Sequence, residues 1–136
     1  FLPANSDPPP PDRAFRGTRL PVTAKFKGNI NARYTFDWHG GEAYWQASVA
    51  HQGDRTNDLR ERQSAKFGTL DAYTLLDLSA GWKKDSWSID VFLKNAFDKR
   101  AELARFSECA ALTCGAESYT VFAQPRTLGV RFSKEF

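Results

Sequence analysis

The chain has 136 residues, a formal net charge of +3, 41% hydrophobic and 14% aromatic residues. That length suits one modest domain at about 100–200 residues per domain, and no apolar run approaches the roughly 18 residues that a membrane-spanning helix needs. The negative mean hydropathy of −0.54 excludes such helices and permits a transmembrane barrel, whose lipid-facing residues are interleaved with lumen-facing ones; a weak positive charge without a clustered patch argues against nucleic acid as a partner.

The chain opens on Phe1 and shows no basic-then-apolar signal segment, so a processed or cut piece is expected. Residues 1–23 contain the run "DPPPPD" and a Leu20-Pro21 step, which predict an extended outer loop leading into the first strand. From 24 to 38 the sequence alternates without a break: Ala24, Phe26, Gly28, Ile30, Ala32, Tyr34, Phe36 and Trp38 against Lys25, Lys27, Asn29, Asn31, Arg33, Thr35 and Asp37. A two-residue step would scatter these side chains around a helix, so the segment is predicted to be a strand. Strands in soluble proteins peak near 5–6 residues, whereas a tilted strand crossing a bilayer needs about 9–11.

"HGGE" then supplies a tight reversal, and a second strand over 43–52 sets Ala43, Trp45, Ala47 and Val49 against Tyr44, Gln46 and Ser48. Residues 53–71 are charged and lack sustained periodicity, which predicts a long solvated loop. Strands over 72–83 and 87–97 follow, joined by the short "KDS" region, and a second long loop is expected over 98–118. The closing strand is predicted over 119–136, with Leu128, Val130, Phe132 and Phe136 on its apolar register and Lys134 as the one charge among them. Short turn, long loop, short turn, long loop is the asymmetry of an antiparallel outer-membrane barrel.

Trp38 and Trp45 flank the first turn and Trp82 and Trp87 the second, all on the apolar register. This distribution predicts an interfacial aromatic girdle, in which each ring sits at the membrane boundary while its N–H reaches water or a headgroup. The alternative is a pair of cross-strand tryptophan contacts of the kind that occur in hairpins.

The segments "GTRLPVTAKFKGNINARYTF", "VFLKNAFDKR" and "QPRTLGVRFSKEF", in that order, resemble the C-terminal part of the β-barrel of TonB-dependent outer-membrane receptors. "GTRLPVTAKFKGNINARYTF" is similar to the family's Gly-x-x-Leu-Pro lead into a barrel strand. "VFLKNAFDKR" resembles its "NLFDK" element through Asn95, Phe97, Asp98 and Lys99, with Ala96 where Leu is usual. "QPRTLGVRFSKEF" resembles the closing strand that ends on an aromatic residue, here Phe136. The resemblance implies an all-β, antiparallel transmembrane β-barrel of about 22 strands, of which this chain would supply the last five. It also implies a plug within the barrel and location in the outer membrane of a Gram-negative bacterium. Its partners would be outer-membrane lipid, TonB with its inner-membrane energising complex, the barrel assembly machinery and a small-molecule ligand.

On that frame Leu128, Val130, Phe132 and Phe136 resemble the signal read by the assembly machinery, and they serve equally as lipid-facing residues. Cys109 and Cys114 stand in an outer loop of a disulfide-permissive compartment, so a bond between them is expected, with free thiols as the alternative. Lys25, Lys27, Arg33, Asp77, Asp90, Lys94, Arg131 and Glu135 are expected to face the lumen, where they pair with one another across strands or line a wet path. His39 and His51 have no nucleophile or carboxylate at a catalytic spacing, and neither a metal nor a cofactor set is apparent. The expected function is import of a scarce nutrient such as a siderophore, vitamin or saccharide, without enzymatic chemistry. A passive porin-type barrel is the first alternative, and a soluble lipocalin-like binding barrel the second.

Overall fold

The computed structural model describes residues 20–57, 68–106 and 119–136. The disulfide expected between Cys109 and Cys114 lies outside the described residues, as does most of the proline-rich segment. Among the described residues every regular element is a strand, and no helix is long and apolar enough to cross a membrane.

The chain divides into two compact units. The larger sheet belongs to the unit formed by Lys27–His51, Tyr73–Arg100 and Gln124–Phe136. It contains β1 (Lys27–Trp38), β2 (Gly41–Gln52), β5 (Tyr73–Lys84), β6 (Trp87–Lys94) and β9 (Thr127–Lys134), in the order β1-β2-β5-β6-β9. Neighbours in space are neighbours in the chain once the two long connections are skipped, which is an up-and-down meander. Its two outer strands leave the sheet open, so these five strands do not close on themselves.

β1, β2 and β5 each have 12 residues, longer than the roughly 9–11 that span a bilayer on a tilt. His39 (φ 49°) and Gly40 (φ 73°) make the two-residue turn between β1 and β2. Positive φ at both centres is the geometry whose twist matches a right-handed hairpin. At the second turn Asp85 takes φ 52° and Ser86 completes the reversal. Both turns lie at one end of the meander, and both long connections leave from the other.

The other unit holds β3 (Arg55–Thr56) paired with β4 (Thr69–Leu70), and β7 (Glu102–Phe106) paired with β8 (Tyr119–Phe122). Sequence periodicity predicts loops over 53–71 and 98–118, so β3, β4 and β7 are a departure from that expectation, whereas β8 falls within the strand predicted over 119–136. Two to five residues are too few to show a period, and each pair is held by a partner far along the chain. Arg55, predicted to be solvated, is only 2% exposed and donates from Nη2 to the carbonyls of Glu102 (3.1 Å) and Leu103 (2.6 Å).

The segment predicted as one strand over 119–136 is divided. β8 pairs with β7, and β9 begins only at Thr127. Pro125 interrupts the run, because it has no N–H to give to a ladder. β6 likewise ends at Lys94 and not at 97, since Asn95 at φ 49° turns the chain out of the strand.

Candidate functional site

The candidate site is the two-faced wall formed by the meander. Paired residues of antiparallel strands point to the same side, so the register defines rows across the sheet. On one face Leu78, Leu93 and Leu128 form a row, followed by Ala80, Val91 and Val130, then Trp82, Ile89 and Phe132. On the other face Gly81, Asp90 and Arg131 align.

The exposure of the two faces is inverted relative to a soluble sheet. Along β6 the apolar Trp87, Ile89 and Val91 are exposed, whereas Ser88, Asp90 and Phe92 between them are half-buried. Ile30 is 74% exposed, and Leu128, Val130 and Phe132 are 71%, 64% and 64% exposed. Ala43 is the buried hydrophobic residue among the described residues of this sheet. A soluble sandwich would cover the apolar face with a second layer.

The polar face carries the cross-strand bonding. The Arg33 guanidinium lies 3.7 Å from the centre of the Tyr44 ring, and the Tyr44 hydroxyl donates to Asp90 Oδ1 at 2.6 Å. The Tyr44 ring reaches Asp90 by crossing over β5 at Gly81, where a Cβ would collide with it. Arg33, Tyr44, Gly81 and Asp90 thus make a band over four adjacent strands, with Arg131 directly beside Asp90 on the fifth. Ser48 donates to Asn31 Oδ1 at 2.5 Å, and His51 Nδ1 lies 2.9 Å from Thr74 Oγ1.

Of the charged residues expected on this face, Lys27, Arg33, Asp77, Asp90, Lys94 and Arg131 stand on the polar register of their strands. Lys25 precedes β1, and Glu135 follows β9, where it pairs with Lys83 at 3.2 Å. Among the described residues of this group the ion pair is that of Glu135 with Lys83, which reaches from the end of β9 past β6 to β5 and so does not join neighbouring strands. The two strand aspartates are engaged otherwise, Asp90 by Tyr44 and Asp77 by the Asn95 N–H at 2.8 Å.

Gly129 pairs directly with Phe92, whose ring covers it so closely that a Cβ would collide with the ring. Gly129→Val is expected to displace that ring and destabilise the sheet by about 1–3 kcal/mol, a shift that urea titration of the folded protein will read. An unchanged midpoint would mean that Phe92 does not seat on β9.

The tryptophans do not lie at one level. Trp38 and Trp82 meet with ring centres 6.3 Å apart, and the Trp82 indole N–H donates to the Trp38 carbonyl at 3.0 Å. Trp87 packs on Phe132 at 5.1 Å. Trp45 stands four residues beyond the start of β2, about 13 Å along the strand, and contacts Tyr34 at 6.0 Å.

Spacing alone did not reveal the role of Asn95, which is 4% exposed. Its Nδ2 donates to the carbonyls of Lys99 (3.1 Å) and Gln124 (2.8 Å), and its Oδ1 accepts from the Lys99 N–H (2.9 Å). Asp98 adds a second tie, since its Oδ1 accepts from the Arg126 N–H at 2.9 Å. The "NAFDK" element therefore fastens the end of β6 to the residues that lead into β9. The Asn three residues before Asp and four before Lys, in the segment that resembles "NLFDK", was the available signal.

No group of three or more His, Cys, Asp or Glu among the described residues is placed to hold a metal ion. The model of the family described as "TonB dependent receptor-like, beta-barrel" matches residues 4–96, more than half of the chain. The chain belongs to that family. No curated protein and no solved structure matches it. The matched span contains β1, β2, β5 and β6, and β9 continues the same TonB-dependent receptor sheet through its pairing with β6. The family is one of receptors and transporters, typically of the Gram-negative outer membrane, and its members act with TonB and bind a ligand.

Proposed function

We propose that this chain is the C-terminal wall of an outer-membrane receptor that binds a scarce nutrient, such as a siderophore, vitamin or saccharide, and imports it actively. The observation that carries the reading is the inverted exposure of the two faces in a meander of the receptor family. The apolar face meets lipid, and the polar band from Arg33 to Arg131 faces the lumen. Force from TonB and its inner-membrane complex acts on the plug, and the wall contributes scaffold and lining without chemistry. Trp38, Trp82 and Trp87 serve as membrane-boundary aromatics on the turn side, which is periplasmic, and Trp45 lies deeper on the same face. Leu128, Val130, Phe132 and Phe136 present the closing strand to the barrel assembly machinery, and a Cys109–Cys114 bond braces an outer loop.

Two measurements test this. Single cysteines at Ile30 and Asn31, in a Cys109→Ser/Cys114→Ser background of the full-length protein, are expected to react from lipid and from water respectively. Labelling of Ile30 only by the water-soluble reagent would exclude a lipid wall. Uptake of a panel of radiolabelled ferric siderophores, cobalamin and oligosaccharides by cells carrying the receptor is expected to include one substrate whose entry stops when a protonophore collapses the inner-membrane gradient. Entry that continues under the protonophore would favour the porin-type alternative.

A further inference from the structure

The apolar face bears a shallow, open groove of about 430 Å³ near the turn end. Its small floor residues Ala43 and Ala80 leave the space, and Trp38, Trp45, Trp82 and Ile89 wall it. The next row toward the turn is Lys84, Trp87 and Lys134, in register on three adjacent strands and on the same face as the groove.

These two lysines are the charged residues of the apolar register among the described strands of the sheet, and both are cations at one end. The strand carboxylates near that end, Asp37 and Glu42, stand on the opposite register, as Glu135 does just past β9; Asp85 lies in the turn itself. Lys84 Nζ is 3.4 Å from the His39 carbonyl, and Lys134 Nζ lies 4.6 Å over the Trp87 ring and 5.1 Å over the Phe136 ring. Among the described residues neither ammonium has a carboxylate within ion-pair distance. With strands about 4.8 Å apart, the two lysines stand about 10 Å from each other across Trp87.

We infer that this surface binds an anionic glycerophospholipid, with one acyl chain in the groove and the headgroup phosphate on the Lys84–Trp87–Lys134 row. The inference rests on the lipid-wall reading above. Charge complementarity selects the ligand: an apolar cleft, an aromatic boundary and a carboxylate-free cation row follow one another along a single face. A zwitterionic lipid would fill the groove equally well but bring an ammonium to the same lysines.

The test uses the full-length receptor in nanodiscs of phosphatidylethanolamine with increasing phosphatidylglycerol, followed by native mass spectrometry of the lipid it retains on release. Phosphatidylglycerol is expected to be retained preferentially. Near a membrane surface each lysine contributes about fivefold to anionic lipid binding, so Lys84→Gln with Lys134→Gln should weaken retention by about 30-fold. Ala80→Phe, which fills the groove, should reduce retention with both lysines intact. Heat-dependent gel mobility establishes that each variant is a folded barrel. Equal retention of the two phospholipids, lipopolysaccharide retained in their place, or retention indifferent to the lysine pair or to Ala80→Phe would each overturn the inference while the barrel reading stands. A protein that does not insert into nanodiscs would overturn both.

Discussion

Val91→Arg in the full-length receptor is expected to lower its stability by about 2–4 kcal/mol, as read by reversible urea titration in bilayers. Val91 occupies the middle of β6, paired with Ala80 on one side and Val130 on the other, and it is 41% exposed on the apolar face. A guanidinium there must sit in hydrocarbon or pull water and headgroups inward, and each strand neighbour offers only methyl groups. Thr35→Arg provides the contrast, because Thr35 is exposed on the polar register of β1; a change within about 0.5 kcal/mol is expected. The cost should also fall with depth, so that Lys134→Arg at the rim changes stability by only about 0–1 kcal/mol. Arginine tolerated at Val91 as readily as at Thr35 would mean that this face does not meet lipid.

Asn95→Ala should cost on the order of 3 kcal/mol, the second large effect, because three hydrogen bonds are lost and backbone strain is added. Two carbonyls and one N–H lose their partner in a nearly buried position, and a Cβ residue lacking Asn's local bonding must hold φ 49°. Asn95→Gly separates these contributions: it relieves the backbone by about 1 kcal/mol and leaves the unsatisfied groups. The expected order of urea midpoints is therefore wild type, Gly, then Ala. Because Asn95 ties β6 to Gln124 just before β9, both variants should also lower the fraction of receptor that reaches the heat-resistant folded form. Equal midpoints for all three proteins would deny Asn95 its fastening role.

The strands of the meander were legible because a long period-2 pattern has no other regular solution. From 24 to 38 each residue's parity assigns its face, and Lys27–Trp38 is a strand within those limits. Gly40 beside His39 likewise announced a tight turn, since a hairpin of two residues needs positive φ and glycine adopts it without strain. The pairs β3–β4 and β7–β8 were not legible as pairs, although β8 lies within the strand predicted over 119–136. Their strands are too short to carry a period, and Arg55 reads as a solvated loop cation until the carbonyls at 102 and 103 are brought to it. Pro125 was visible as a letter, but only the separate partners of β8 and β9 show that it divides one predicted strand into two.

The sequence by itself determined that the sheet has an apolar and a polar face, because side-chain direction in a strand depends on parity alone. Only the tertiary structure decided which residues meet on those faces. Tyr44 and Asp90 are 46 positions apart, Asn95 and Gln124 are 29 apart, and Lys84 and Lys134 share a row through Trp87. Those encounters depend on strand order and register, which turns and long-range pairing set together and which no local period encodes.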